Sequence, residues 1–133
     1  MNAVGVNACT DITGFGLLGH LLEMCKASNV SANIEFNKLP LIKGAFELAQ
    51  NGFVPGGTKN NLDFIIDSVN FSDKITKEEQ YIMADAQTSG GLLISVPIDK
   101  TEELQIMLQE KNCLTTNIIG KVYNSSEVSI NVN

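Results

Sequence analysis

The apolar residues fall into blocks with two different periods. Phe15, Leu18, Leu21, Leu22 and Cys25 recur at helical spacing, so Gly16 to Ala27 reads as an amphipathic helix ended by Ser28-Asn29. Val30, Ala32, Ile34 and Phe36 alternate, which predicts a strand over Val30–Phe36. Ala8–Asp11 is a short extended piece before that helix, and Met1–Val6 reads as the tail of another helix. Pro40 suits a first helical turn, and Ala45–Gln50 predicts a helix stopped by Asn51-Gly52. Pro55-Gly56-Gly57-Thr58 makes Phe53–Asn61 a loop, and Leu62–Ile66 is too short to assign. Thr76 with Glu79 forms a capping box for a helix to about Ala84. Leu92–Val96, an apolar run bounded by Gly and Pro, predicts a buried strand. Asp99 with Glu102 marks a further capping box, and Leu104, Met107 and Leu108 supply that helix with an inner stripe. Asn117–Tyr123 and Val128–Val132 read as a closing hairpin about Asn124-Ser125-Ser126. Helices and strands mix without strict alternation, so the class is α+β: a mixed β-sheet with helices packed on it, one domain over residues 1–133.

Composition narrows the partners. Apolar residues make up 44% and charged residues 18% of 133, an ordinary globular balance that argues against disorder. The net charge is −6, and all nine cations are Lys. No basic face can be built from them, so nucleic acid is excluded as a partner. Arg, the usual bidentate phosphate ligand, is absent. Any contact with phosphates must use backbone N–H groups, hydroxyls or a metal. Three cysteines without a CxxC pair predict buried thiols in a reducing compartment rather than a disulfide framework. No leader-like start and no bilayer-length apolar run occur, so no membrane partner and a cytoplasmic location are expected.

Three segments are polar and glycine-rich: Thr10-Asp11-Ile12-Thr13-Gly14-Phe15-Gly16, Pro55-Gly56-Gly57-Thr58, and Asp85-Ala86-Gln87-Thr88-Ser89-Gly90-Gly91. Glycine admits close backbone approach, and successive N–H groups in such turns form anion-binding nests. Together they suggest one polyanion-facing surface; singly, each reads equally as a tight turn. Asp11 has two readings: a cap for the following helix, or a hard oxygen ligand for Mg²⁺ bridging phosphates. Gly14-Phe15-Gly16-Leu17-Leu18-Gly19 matches the dinucleotide fingerprint literally, with Glu35 near the expected acidic position. Against it, the preceding residues Thr10, Asp11 and Thr13 are too polar for a buried parallel strand. His20, the single histidine, reads as structural, Asp85 as a turn cap, and Met24, Met83 and Met107 as core fillers.

Taken in order, the string Ala8-Cys9-Thr10-Asp11-Ile12-Thr13-Gly14-Phe15-Gly16-Leu17-Leu18-Gly19-His20-Leu21 resembles the signature opening the C-terminal domain of selenophosphate synthetases (selenide, water dikinases). Pro55-Gly56-Gly57-Thr58 with Asn61, and Asp85–Leu93, resemble that family's second and third motifs. Ala86 departs from the Pro usual there, which loosens a loop and removes no ligand. The related aminoimidazole ribonucleotide synthetase, thiamine monophosphate kinase and hydrogenase maturation dehydratase share the architecture without this set of strings. The resemblance implies a three-layer α-β-α unit. It further implies an enzyme making selenophosphate, AMP and orthophosphate from selenide, ATP and water, for selenocysteine and selenouridine synthesis. It assigns Asp11 to Mg²⁺. It places Thr10, Thr13, Gly14, Gly16, Gly56, Gly57, Thr58, Asn61, Asp85, Gln87, Thr88, Ser89, Gly90 and Gly91 on the phosphate side as site lining. The partner it implies is an N-terminal ATP-binding domain that forms the homodimer and carries a reactive Cys or selenocysteine, a Lys and further aspartates. None of those groups is recognisable here, and Cys9 belongs to this domain's motif rather than to the nucleophile. The expectation is a fragment that is inactive alone. A standalone binding or regulatory module of the same fold, and a dinucleotide-binding fragment, are the alternatives.

Overall fold

A computed structural model describes residues 3–125 and 129–133. Strand β1 (Ala8–Asp11) runs into helix α1 (Gly16–Ser28), which Asn29 ends in the left-handed conformation, φ 52°. Strand β2 (Val30–Ile34) follows, then helix α2 (Ala45–Gln50), helix α3 (Gly56–Ile65) and strand β3 (Val69–Phe71). Helix α4 (Lys77–Ala84), strand β4 (Leu92–Ser95), helix α5 (Thr101–Glu110) and strands β5 (Gly120–Asn124) and β6 (Ile130–Val132) complete the chain.

Among the described residues the strands form two sheets. β1 pairs antiparallel with β4, Asp11 opposite Leu92 and Ala8 opposite Ser95. The other four are ordered β3-β6-β2-β5, with β6 parallel to both β2 and β3, and β5 antiparallel to β2. This is the mixed sheet with packed helices expected for an α+β domain. α1 supplies the centre of the core: Leu18, Leu21, Leu22 and Cys25 pack with Ala32 and Ile34 of β2 and with Ile130 and Val132 of β6. Leu62 and Ile65 of α3 and Met83 of α4 close the same cluster.

Several expectations fail, for identifiable reasons. The closing hairpin does not form, because β2 lies between β5 and β6. Ile130 and Val132 are fully buried, which suits an interior strand, whereas β5 is exposed along Lys121–Asn124 and suits an edge. Ser126 and Val128 of that proposed hairpin lie outside the described residues. Residues 53–61 are not all loop: α3 starts at Gly56, behind Pro55 in an extended conformation. First-turn N–H groups need no helical partner, so two glycines cost little there. Residues 3–6 are not helical, and Pro40 precedes α2 rather than opening it. Asp99 forms no capping box, because a 3₁₀ turn at Ile98–Lys100 leads into α5. The box at Thr76 and Glu79 is present in both directions. Of the cysteines, only Cys25 is buried; Cys9 and Cys113 are exposed. The literal dinucleotide fingerprint is overturned by topology, since β1 and β2 lie in different sheets and make no parallel βαβ unit.

Candidate functional site

The three polar segments, with 68 residues between the first and the third, meet on one surface. The first and third are joined by main-chain bonds. Ile12 N–H donates to the Gly91 carbonyl at 2.9 Å, and Gln87 N–H donates to the Thr13 carbonyl at 3.0 Å. The same Thr13 carbonyl accepts from Gly16 N–H at 3.1 Å, closing the turn into α1. Contact is tight enough to demand glycine. A Cβ on Gly16, which holds φ +69°, would lie 2.6 Å from the Ala84 carbonyl carbon, and one on Gly90 would lie 2.3 Å from the Ile12 oxygen.

The second segment is the clamp. Asn61, one turn inside α3, donates through Nδ2 to the Gly14 carbonyl at 2.8 Å and to the Ala84 carbonyl at 3.0 Å. One side chain thus ties the start of α1 to the end of α4. Thr58, 1% exposed, donates its hydroxyl to Asp85 Oδ1. Asp85 is therefore held by α3 and does not stand alone as a turn cap. Gly56 and Gly57 form the exposed first turn of α3, with open space where a Cβ would be. Ala86, Gln87, Thr88 and Ser89 are exposed on the bend before β4.

Asp11 ends β1 beside this junction. It does not cap α1, whose first turn begins after Phe15 with no side-chain cap. Its carboxylate is exposed and has no hydrogen bond or ion pair among the described residues. Thr10, on the opposite face of the strand, donates its hydroxyl to the Asp11 carbonyl at 3.3 Å. Partial desolvation first, and the Asp11 carboxylate second, push the exposed Cys9 thiol up from its ordinary value. That direction is opposite to the lowering that activates a thiol as nucleophile.

The donor set fits a hard cation shared with a ligand. Among the described residues no three His, Cys, Asp or Glu side chains cluster as a metal cage. Mg²⁺ characteristically takes one or two carboxylates and completes its shell with phosphates and water, so a single unengaged carboxylate is a fitting contribution. No side chain caps and no first-turn carboxylate neutralises the start of α1 or of α3; that of α3 is exposed at Gly56 and Gly57, whereas that of α1 is buried against Ala84 and Asp85. Such ends favour anions. His20, expected to be structural, has its Nε2 3.0 Å from the Thr13 hydroxyl and its Nδ1 3.2 Å from Glu23 Oε2. The i, i+3 spacing of His20 and Glu23 on a helix was the available signal. The clefts along α5 (Asp99, Glu102, Glu103, Glu110) and beside Glu35 and Lys74 contain none of the three segments.

Residues 1–133 match the family model described as AIR synthase related protein, C-terminal domain. Three similar proteins are all called selenide, water dikinase. That of Carboxydothermus hydrogenoformans is 48% identical over 118 residues, 89% of this chain and 34% of that protein. That of Caldanaerobacter subterraneus is 47% identical over 133 residues, 99% of this chain and 38% of its own length. That of Clostridioides difficile is 46% identical over 127 residues, 96% of this chain and 36% of that one. The chain therefore spans about a third of the length of these curated relatives.

Proposed function

We propose, because this chain belongs to the AIR synthase related protein, C-terminal domain family, that it forms the phosphate-facing C-terminal part of a selenide, water dikinase. The whole enzyme would convert selenide, ATP and water into selenophosphate, AMP and orthophosphate in the cytoplasm, as a homodimer built on its N-terminal domain. The observation that carries the reading is the convergence of the three segments beside an unengaged carboxylate. A bare carboxylate repels phosphate, and no Arg is available to offset it. Asp11 is therefore read as the residue that holds Mg²⁺. That ion, when bound, neutralises charge on the transferring phosphates. The uncapped, exposed start of α3 and the hydroxyls of the exposed bend 86–89 would face the same anion. Asn61, Thr58 and Asp85 hold these parts in register rather than touching it. Nucleotide binding and the reactive nucleophile fall to the N-terminal domain.

The test is Asp11→Asn in a two-domain selenide, water dikinase carrying this chain. Selenide-dependent AMP formation should fall by about 100-fold or more, the scale on which losing one electrostatic contact to the transition state acts. Turnover at the unaltered rate would rule the reading out. The 133-residue chain alone should form no AMP, since one carboxylate and three loops cannot position a triphosphate.

A further inference from the structure

His20 is the single histidine of the chain, 9% exposed, and lies one turn into α1 directly beneath the first polar segment. Its two ring nitrogens have different neighbours. Nδ1 faces Glu23 Oε2 at 3.2 Å, and Nε2 faces the Thr13 hydroxyl at 3.0 Å. The Phe15 ring packs edge-on against the imidazole, centroids 5.8 Å apart, which limits its rotation. A carboxylate can only accept, so Glu23 beside Nδ1 favours the tautomer that carries its proton on that nitrogen. In the neutral ring Nε2 is then an acceptor, and the Thr13 hydroxyl is its donor. Thr13 is fixed at a second point, because its carbonyl accepts from both Gly16 and Gln87. This one residue therefore joins the first segment to the third, and its side chain is oriented by His20.

We propose that His20 is a positioning residue: with Glu23 beside Nδ1 and the Phe15 ring against the imidazole, it takes the Thr13 hydroxyl as donor and so fixes the turn at residues 12–16 relative to Asp11 and Gln87. The consequence for Thr13 is specific. Its hydroxyl proton is committed inward, so Thr13 serves the phosphate surface through the backbone it holds rather than as a hydroxyl donor. This inference rests on the phosphate-site reading above.

Two measurements test it. The first needs no turnover. Long-range ¹H–¹⁵N correlation of the lone imidazole, on the 133-residue chain at a pH where the ring is neutral, should show the Nδ1–H tautomer. Thr13→Val should shift the Nε2 resonance toward that of an unbonded nitrogen. A dominant Nε2–H tautomer, or an Nε2 resonance indifferent to Thr13→Val, overturns the proposal. The second compares His20→Gln with His20→Leu in the two-domain enzyme. Gln can place an acceptor oxygen near the Nε2 position, whereas Leu fills the space without one. Loss of one such bond is worth about tenfold, so Leu should lower turnover about tenfold or more and Gln should recover most of it. If His20 merely fills the core, Leu will match or exceed Gln, and the proposal falls. Asp11→Asn in parallel separates the two claims. If Asp11→Asn abolishes turnover while Leu and Gln behave alike, only the role of His20 is lost. If Asp11→Asn is harmless, the phosphate-site reading itself is lost.

Discussion

Gly14 and Gly16 sit two positions apart in the same polar segment, and their surroundings differ completely. Gly16 has positive φ and its missing Cβ faces the backbone of Ala84 and Asp85 at 2.6–2.8 Å, whereas a Cβ on Gly14 would meet nothing within 4 Å. Gly16→Ala should therefore destabilise the fold by about 2–4 kcal/mol, combining a left-handed backbone penalty with displacement of the third segment. Gly14→Ala should cost about 0.5 kcal/mol or less. Urea midpoints of the two variants check this, and equal midpoints would refute it. In the sequence both glycines read as parts of one polar motif. Which of them bears the packing was not legible, because the residues it touches lie some 70 positions away in the chain. Asp11 shows the same division. That it carries a carboxylate next to a glycine-rich turn was legible from residue type, while its freedom from capping α1 depends on where that helix starts.

At the scale of elements, strong local signals survived folding and weak ones were overruled. The helix at Gly16–Ser28 and the capping box at Thr76 follow from spacing and hydrogen-bonding chemistry within a few residues. α3 was hidden because Pro-Gly-Gly-Thr is a poor helix former taken alone. Its formation follows from Thr58, Leu62 and Ile65, spaced at i, i+4 and i+7, being buried against the core. β3 is three residues long and exists through its pairing with β6. The clamp made by α3 yields a specific expectation. Thr58→Val keeps the shape of the buried side chain but leaves Asp85 without its donor, at a cost of about 1–3 kcal/mol. Hydrogen exchange of the Gln87 amide, which bonds to Thr13, should accelerate in that variant. An unchanged exchange rate would show that α3 does not brace the third segment.

At the scale of the molecule, the core built around α1 links stability to pH. Burial raises the Cys25 thiol above its ordinary value of 9.0. The folded protein thus keeps a proton that the unfolded chain releases. This contribution is whole below the unfolded value and is lost as pH rises through the folded one. Urea midpoints should fall above about pH 9, and Cys25→Ala should flatten that alkaline decline relative to its own neutral value. An identical decline in both proteins would refute the assignment. Among the described residues no helix is long and apolar enough to cross a membrane. The amino-acid sequence by itself determined the α+β class, the principal helix, the three polar segments and the absence of Arg, since these depend on residue type and on periods of a few residues. Tertiary structure alone decided that β2 separates β5 from β6, that a glycine-opened stretch becomes a helix, and that the segments share one surface. Those outcomes depend on which distant apolar faces bury one another, and no local pattern encodes that choice.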